Sequence, residues 1–350
     1  MKKIVNKIEL ITGNEAVVKA AHIAGADFFA GYPITPSTEI MSGWAKLAAA
    51  NPGLGFVQME DETASGMAVI GALLAGKKAW TVTAGVGHVL MQDPMVLAET
   101  LGLPFVMYVG QRGGPSTGTV IFSQQELNLA RYGGNSEGIR VVYGPSNIQE
   151  LFELTQKAFN TAWRYRLPTI ILGDGYLTKT LSRVDISKTI PSEKSESYFL
   201  NGEVKHLRNC FSREDELAEH LSHLFAKYAA ASRQIVESES YLVDNAEVVV
   251  FAWGTVGYAA KVAVTNMRKK GFKVGLFRPI TLRPFDDQKA QKAAKKARKI
   301  LITESSNGQF GRIVRETLFG TTEAEIERLY RPGEGITTEE IEDKLRKIWK

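Results

Sequence analysis

Three side chains of chemically useful type stand where the sequence pattern places the ends of strands. Thr35 lies in Gly31-Tyr32-Pro33-Ile34-Thr35-Pro36-Ser37-Thr38-Glu39, between two prolines. Each proline fixes its own φ and pushes the residue before it out of the helical region, so Thr35 is held extended with its hydroxyl presented outward. Arg112 follows an apolar run and is trailed by glycines in Gln111-Arg112-Gly113-Gly114-Pro115-Ser116-Thr117-Gly118. A guanidinium at such a place suits bidentate binding of a carboxylate or phosphate, and equally a structural ion pair with a helix carboxylate. Glu60, Asp61 and Glu62 open a run of small residues, 63–76. They can complement a helix dipole, with Asp61 as the cap, or one of them can be buried against a ligand.

Two glycines, Gly85 and Gly87, form a strand-to-helix turn that lets backbone approach a ligand, a pattern that ordinary tight turns share. His88 follows them, within reach of a substrate or as a satisfied structural residue. The other histidines, His22, His206, His220 and His223, show no paired metal-ligand pattern, and no metal site is predicted.

The elements that must carry these residues alternate. A helix over 13–21 precedes a short strand over 26–30, so the Thr35 loop leaves a strand's carboxyl end, where ligands sit in open α/β sheets. Ser37 or Thr38 is expected to cap a helix starting at Glu39. Strands are predicted over 56–58, 79–83, 103–110, 138–143 and 168–172, with helices between them, including one over 146–163. An extended linker over 186–212 and a charged amphipathic helix over 214–239 separate this series from a second one. There, strands over 246–253, 273–278 and 299–304 are each paired with a helix. The expected fold class is α/β, with two doubly wound, mostly parallel sheets. The expected domains are 1–185, a linker with its helix over 186–245, and 246–350.

Composition narrows the chemistry. A hydrophobic content of 44% and 23% charged residues describe an ordinary globular protein. The net charge of +5 is mild for 350 residues, and no basic run is interleaved with aromatics, which argues against nucleic acid. The basic stretch Lys289, Lys292, Lys295, Lys296 and Arg298 reads as a solvated face. Asn6, Lys7 and Glu9 interrupt any signal-like apolar stretch and no segment is long and apolar enough for a membrane, so a cytoplasmic location is expected. Cys210 is the single cysteine, which rules out an internal disulfide and a complete cysteine-ligated cluster within the chain. Gly173-Asp174-Gly175 with Asn201 imitates a thiamine-diphosphate/Mg²⁺ signature. The polar stretch over 182–197 lacks the small-residue helix that signature needs, so the match is read as accidental.

In combination, Gly-Tyr-Pro-Ile-Thr-Pro-Ser-Thr, the block 59–76 and Gln-Arg-Gly-Gly-Pro-Ser-Thr-Gly resemble the alpha subunit of the 2-oxoacid:ferredoxin oxidoreductases. Residues 246–320, with Gly275-Leu276-Phe277-Arg278-Pro279-Ile280-Thr281 and Glu304-Ser305-Ser306-Asn307-Gly308-Gln309, resemble that family's transketolase C-terminal-like domain. The resemblance implies that residues 1–185 bind the pyrimidine of thiamine diphosphate. Glu62 then matches the glutamate that hydrogen-bonds the aminopyrimidine N1′, where protonation favours the imino tautomer that takes up the cofactor's reactive proton. Pro33, Ile34, Gly85 and Gly87 would border the cofactor. Thr35 would lie near the substrate, and Arg112 would meet the carboxylate of a 2-oxoacid such as pyruvate, 2-oxoglutarate or a branched-chain acid.

Coenzyme A would accept the acyl group and ferredoxin the electrons. The resemblance places the diphosphate/Mg²⁺ site and the iron–sulfur clusters on a separate beta subunit, with a gamma subunit often beside it. One departure is Ala84-Gly85-Val86-Gly87, where many relatives carry Ser-Gly-Pro-Gly. Two rival readings exist: a catalytically silent, partner-binding paralogue, and a nucleotide-binding dehydrogenase resting on Gly254-Thr255-Val256-Gly257, which is half of a dinucleotide fingerprint.

Overall fold

The computed structural model describes residues 7–195 and 206–349. Its strands are β1 Ile8–Thr12, β2 Phe28–Gly31, β3 Gly55–Gln58, β4 Ala79–Thr83, β5 Val106–Gln111, β6 Val141–Tyr143, β7 Thr169–Asp174, β8 Leu181–Asp185, β9 Ser238–Tyr241, β10 Val248–Phe251, β11 Val274–Pro279, β12 Thr281–Arg283, β13 Lys299–Glu304 and β14 Glu325–Tyr330. Seven of them form one sheet in the order β12-β6-β7-β5-β4-β2-β3. All neighbours in it run parallel except β12, which is antiparallel to β6. A second sheet has the order β14-β13-β10-β11-β9, with β9 antiparallel to β11. β1 and β8 pair antiparallel on their own. The α/β class with two mostly parallel sheets is therefore as the sequence predicts.

Central strands β4, β5 and β7 are buried along their whole length, which is why they read as apolar runs without alternation. Trp80 of β4 sits in an aromatic cluster with Phe29, Trp44 and Phe159, at ring centroid distances of 5.0, 5.4 and 6.0 Å. Edge-to-face pairs of this kind add to the burial itself. The chain passes from β2 to β3 on one side, then returns to β4 on the other. That reversal opens the crevice beside β2 in which α/β sheets hold ligands.

Several local expectations differ from the structure. The charged helix runs Glu214–Ile235, shorter than expected, and the residues after it form β9 of the second sheet. Thr281–Arg283, inside the second series, becomes the edge strand of the first sheet. Ser37 occupies the N-cap of the Thr38–Ala50 helix without a side-chain cap bond, and its hydroxyl is buried without a partner. Asp61, by contrast, caps the Glu62–Leu74 helix through Ala64 N–H at 2.7 Å. Gly66 of that helix has no room for a Cβ because Pro94 packs against it, so the small residues serve close packing onto the Gln92–Leu101 helix. The lysines and Arg298 of the basic stretch are exposed, as expected. Asn201 and the residues before Lys7 lie outside the described residues.

Buried polar ties join the parts of the chain that carry the two sheets. Arg278 of β11, nearly fully buried, donates to Glu150 at 2.7 and 3.0 Å and to Glu239 at 3.0 Å. The Gln124 side chain donates to the Trp253 carbonyl at 2.8 Å and accepts from Ser305 N–H at 2.9 Å. Asp174, buried at the end of β7, accepts from Leu177 N–H at 2.9 Å and from the Thr255 hydroxyl at 2.8 Å.

Burial pushes the Asp174 carboxyl up to about 6 from its ordinary 3.8, and its hydrogen bonds offset this only in part. The folded state holds this proton more tightly than the unfolded chain. Its contribution to stability is therefore full below about pH 4 and is lost as pH rises through about 6, a swing of about 3 kcal/mol. Asp174→Asn should remove that swing. Melting temperatures measured from about pH 4 to 7 should shift in favour of the variant relative to wild type as pH rises.

Candidate active site at the carboxyl edge of the first sheet

Adjacent parallel strands β3, β2, β4 and β5 bring their carboxyl ends side by side, and each delivers one part of the site. β2 leads into the Thr35 loop, β3 into Glu62, β4 into the Gly85 turn, and β5 into Arg112. The structure thus brings together all three residue types singled out in the sequence. Thr35 is exposed, as its proline frame predicts. The loop is seated from behind: Asn14 donates to the Pro36 carbonyl at 3.1 Å, and Pro36 and Ser37 lie against Gly110, where a Cβ would meet Ser37 Oγ at 2.5 Å. Pro33 and Ile34 are half-buried along it.

Arg112 is 6% exposed and donates through Nη1 to the Thr35 carbonyl at 3.0 Å. Its Nε is buried and unpartnered. The ion pair with a helix carboxylate, the alternative reading of this residue, is not formed with any described residue. The guanidinium lies along Gly85, whose φ of +52° and lack of a Cβ both permit that approach.

Glu62, only 4% exposed, makes no side-chain hydrogen bond to another described residue. Desolvation raises its carboxyl above the usual range, with the neighbouring Asp61 adding to the rise and Arg112 opposing it. It lies against Gly87, where a Cβ would overlap both Glu62 Oε1 and Thr83 Oγ1. Thr83 Oγ1 is itself buried without a partner. Glu60 and Asp61 stay exposed, so Glu62 alone of the three carboxylates is withdrawn from solvent.

His88 does not reach the open side of the site. It is fully buried, and its Nδ1 lies 2.8 Å from Glu126 Oε2. Glu126, a residue that no motif marked, precedes the Leu127–Tyr132 helix and accepts through Oε1 from Gly85 N–H and Arg112 N–H, each at 3.0 Å. The only trace of it in the sequence is an acid at a helix start shortly after the Arg112 loop. A cavity of about 170 Å³ adjoins, lined by Gly85, Val86, Val89, Arg112, Glu126 and Leu129 among others.

Elsewhere, Thr255 bonds Asp174 and Gly254 packs on Gln124. The Gly254–Gly257 turn is therefore engaged by the first sheet's loops, and the dehydrogenase reading loses its footing. Asp174 is engaged with Thr255 and Leu177, away from any metal-ligand cluster. Among the described residues no group of three His, Cys, Asp or Glu side chains could hold a metal, and no helix is long and apolar enough to cross a membrane.

Residues 19–239 match the family described as pyruvate flavodoxin/ferredoxin oxidoreductase, thiamine-diphosphate-binding, and residues 246–341 match pyruvate:ferredoxin oxidoreductase core domain II. The chain belongs to the 2-oxoacid:ferredoxin oxidoreductase family. It is 33% identical to the ketoisovalerate oxidoreductase subunit VorB of Methanothermobacter marburgensis, over 97% of both chains. It is 35% identical to the 2-oxoglutarate synthase subunit KorA of Archaeoglobus fulgidus, over 87% of this chain and 89% of that one.

In fold it resembles the 2-oxoglutarate:ferredoxin oxidoreductase of Magnetococcus marinus, solved with 2-oxoglutarate, coenzyme A and succinyl-CoA bound. The TM-score is 0.88 at 24% identity, covering 97% of this chain and 65% of that one. A split-gene transketolase shares the fold at a TM-score of 0.58 and 15% identity, over 96% and 95% of the two chains.

The Gly87 contact makes a direct test of the packing around Glu62. Gly87→Ala should destabilise the protein by about 1–3 kcal/mol, as overpacking does. Gly71→Ala, on the same helix as Glu62 and with no atom within 4 Å of the added Cβ, should hold or gain stability, as helical Gly to Ala changes do. Thermal melts of the two variants beside wild type read the difference.

Proposed function

We propose that this chain is the alpha-type subunit of a thiamine-diphosphate-dependent enzyme that oxidatively decarboxylates a 2-oxoacid with coenzyme A and passes the electrons to ferredoxin. The observation that carries the reading is Glu62, a withdrawn carboxylate without a hydrogen-bond partner among the other described residues, set a turn away from a buried Arg112 whose Nε has none either. The residues fit the cofactor. Glu62 packs on the bare backbone of Gly87 beside Thr83 Oγ1, which is buried without a partner, and such a buried acid suits the ring nitrogen of an aminopyrimidine. When bound, thiamine diphosphate supplies the electron sink for decarboxylation.

This chain's own residues do the rest. Glu62, its proton held more firmly because of burial, would face N1′ as a hydrogen-bonding acid. Arg112 offers its guanidinium to the carboxylate of the 2-oxoacid, and the Thr35 hydroxyl stands beside it. The relatives act, by name, on ketoisovalerate, 2-oxoglutarate and pyruvate, and the carboxylate next to a ketone is what these acids share.

One cysteine, Cys210, exposed, cannot complete an iron–sulfur cluster. The clusters would then lie on a partner chain, and the family resemblance assigns them, with the diphosphate/Mg²⁺ site, to a beta subunit, with a gamma subunit as a further partner.

Co-purification of the tagged chain with its partners, followed by coenzyme A-dependent reduction of a viologen dye over a panel of 2-oxoacids, tests the reading. Reduction with at least one acid is expected. Glu62→Gln should lower kcat by about 10²–10⁴-fold, the usual weight of acid–base assistance. Arg112→Ala should raise KM for the acid by roughly tenfold to a hundredfold, as expected when a charge-assisted hydrogen bond is lost. A partner that co-purifies without activity toward any acid would favour the silent scaffold instead.

A further inference from the structure

The Glu126 carboxylate ties two of the site's loops together. Its Oε1 accepts from Gly85 N–H in the turn after β4 and from Arg112 N–H at the end of β5, both at 3.0 Å. Its Oε2 meets His88 Nδ1 at 2.8 Å. Against a carboxylate oxygen Nδ1 is the natural donor, and Nε2 is buried without a partner. His88 is fixed in turn, because its carbonyl accepts from Gln92 at 2.8 Å.

The turn that Glu126 holds is the one whose Gly87 walls Glu62 and whose Gly85 lies under the Arg112 side chain. One oxygen therefore sets the separation between the acid that would face the cofactor and the cation that would face the substrate. We propose that Glu126, locked by His88, is a positioning residue. It fixes the Gly85 turn and the Arg112 backbone in a common register, so that the guanidinium meets the 2-oxoacid carboxylate at the reach set by Glu62. The proposal rests on the role assigned to Arg112 above.

Misplacement of a substrate-orienting group by even an ångström weakens productive binding strongly. The assembled complex, assayed by viologen reduction with whichever 2-oxoacid it uses best, tests this through three variants. Glu126→Ala removes all three hydrogen bonds and should raise KM for the acid about tenfold or more. Glu126→Gln keeps an oxygen for both backbone N–H groups. Its amide must donate to His88 Nδ1, which moves the ring proton to a buried, unpartnered Nε2. It should therefore lose a few degrees of melting temperature while its KM stays within about twofold of wild type. His88→Ala frees only Oε2 and should raise KM less than Glu126→Ala.

This split separates positioning from a merely structural role, which would lower the melting temperature of all three variants without ordering their KM values. Wild-type KM in Glu126→Ala, or an equal rise in Glu126→Gln, would overturn the proposal. Arg112→Ala in the same assay distinguishes the two levels. A raised KM there with an unmoved Glu126→Ala refutes the positioning role alone, whereas a wild-type KM in Arg112→Ala removes the assignment beneath it.

Discussion

The whole site depends on one constraint, the parallel register of β3, β2, β4 and β5. Parallel strands all finish at the same edge, so loops separated by some eighty residues of chain are set next to one another by the sheet itself. The helices between the strands cover both faces and leave that edge open for backbone to meet a ligand. Hydrogen bonds then adjust what the register has assembled: Arg112 to the Thr35 carbonyl, and Glu126 to the two loops beside it. Their energies are small beside the burial of Trp80, Tyr108 and Phe159, and they act on geometry more than on stability.

Much of this was legible in the sequence, for physical reasons that differ from residue to residue. Thr35 could be placed because two prolines restrict the backbone around it whatever the tertiary structure does. The buried strands could be placed because parallel β-structure covered on both faces needs long apolar runs. Arg112 could be marked as a strand-end cation, though not freed from the alternative of an ion pair, since only coordinates show what faces a guanidinium. Glu62 could not be told from Glu60 and Asp61 by type or spacing alone. Burial separates them, and burial is a property of the packed helix against Gly87. The resemblance supplied that choice, and the structure gives it a physical basis.

What remained hidden has a common cause. Glu126 lies in no motif, because its partners are backbone N–H groups from loops far away in sequence. The expected cap at Ser37 failed because its hydroxyl is packed against Gly110, where tertiary contact overrides local preference. β9 reads as the tail of a helix, since Ser238-Glu239-Ser240-Tyr241 carries little apolar content and pairs only along one edge. The turn after β4 shows the opposite case. Gly85 and Gly87 are each packed against a side chain of the site, Arg112 and Glu62, so an added Cβ at either would have to displace it.

β12 changes how the molecule can be divided. Its three residues come from the second βα series, yet they close the first sheet by pairing with β6. A chain cut in the segment before β9 would leave β6 paired with β7 alone, its other edge bare and inviting strands from other molecules. Gene fission or separate expression of the amino-terminal piece would therefore have to bring its own cover for that edge.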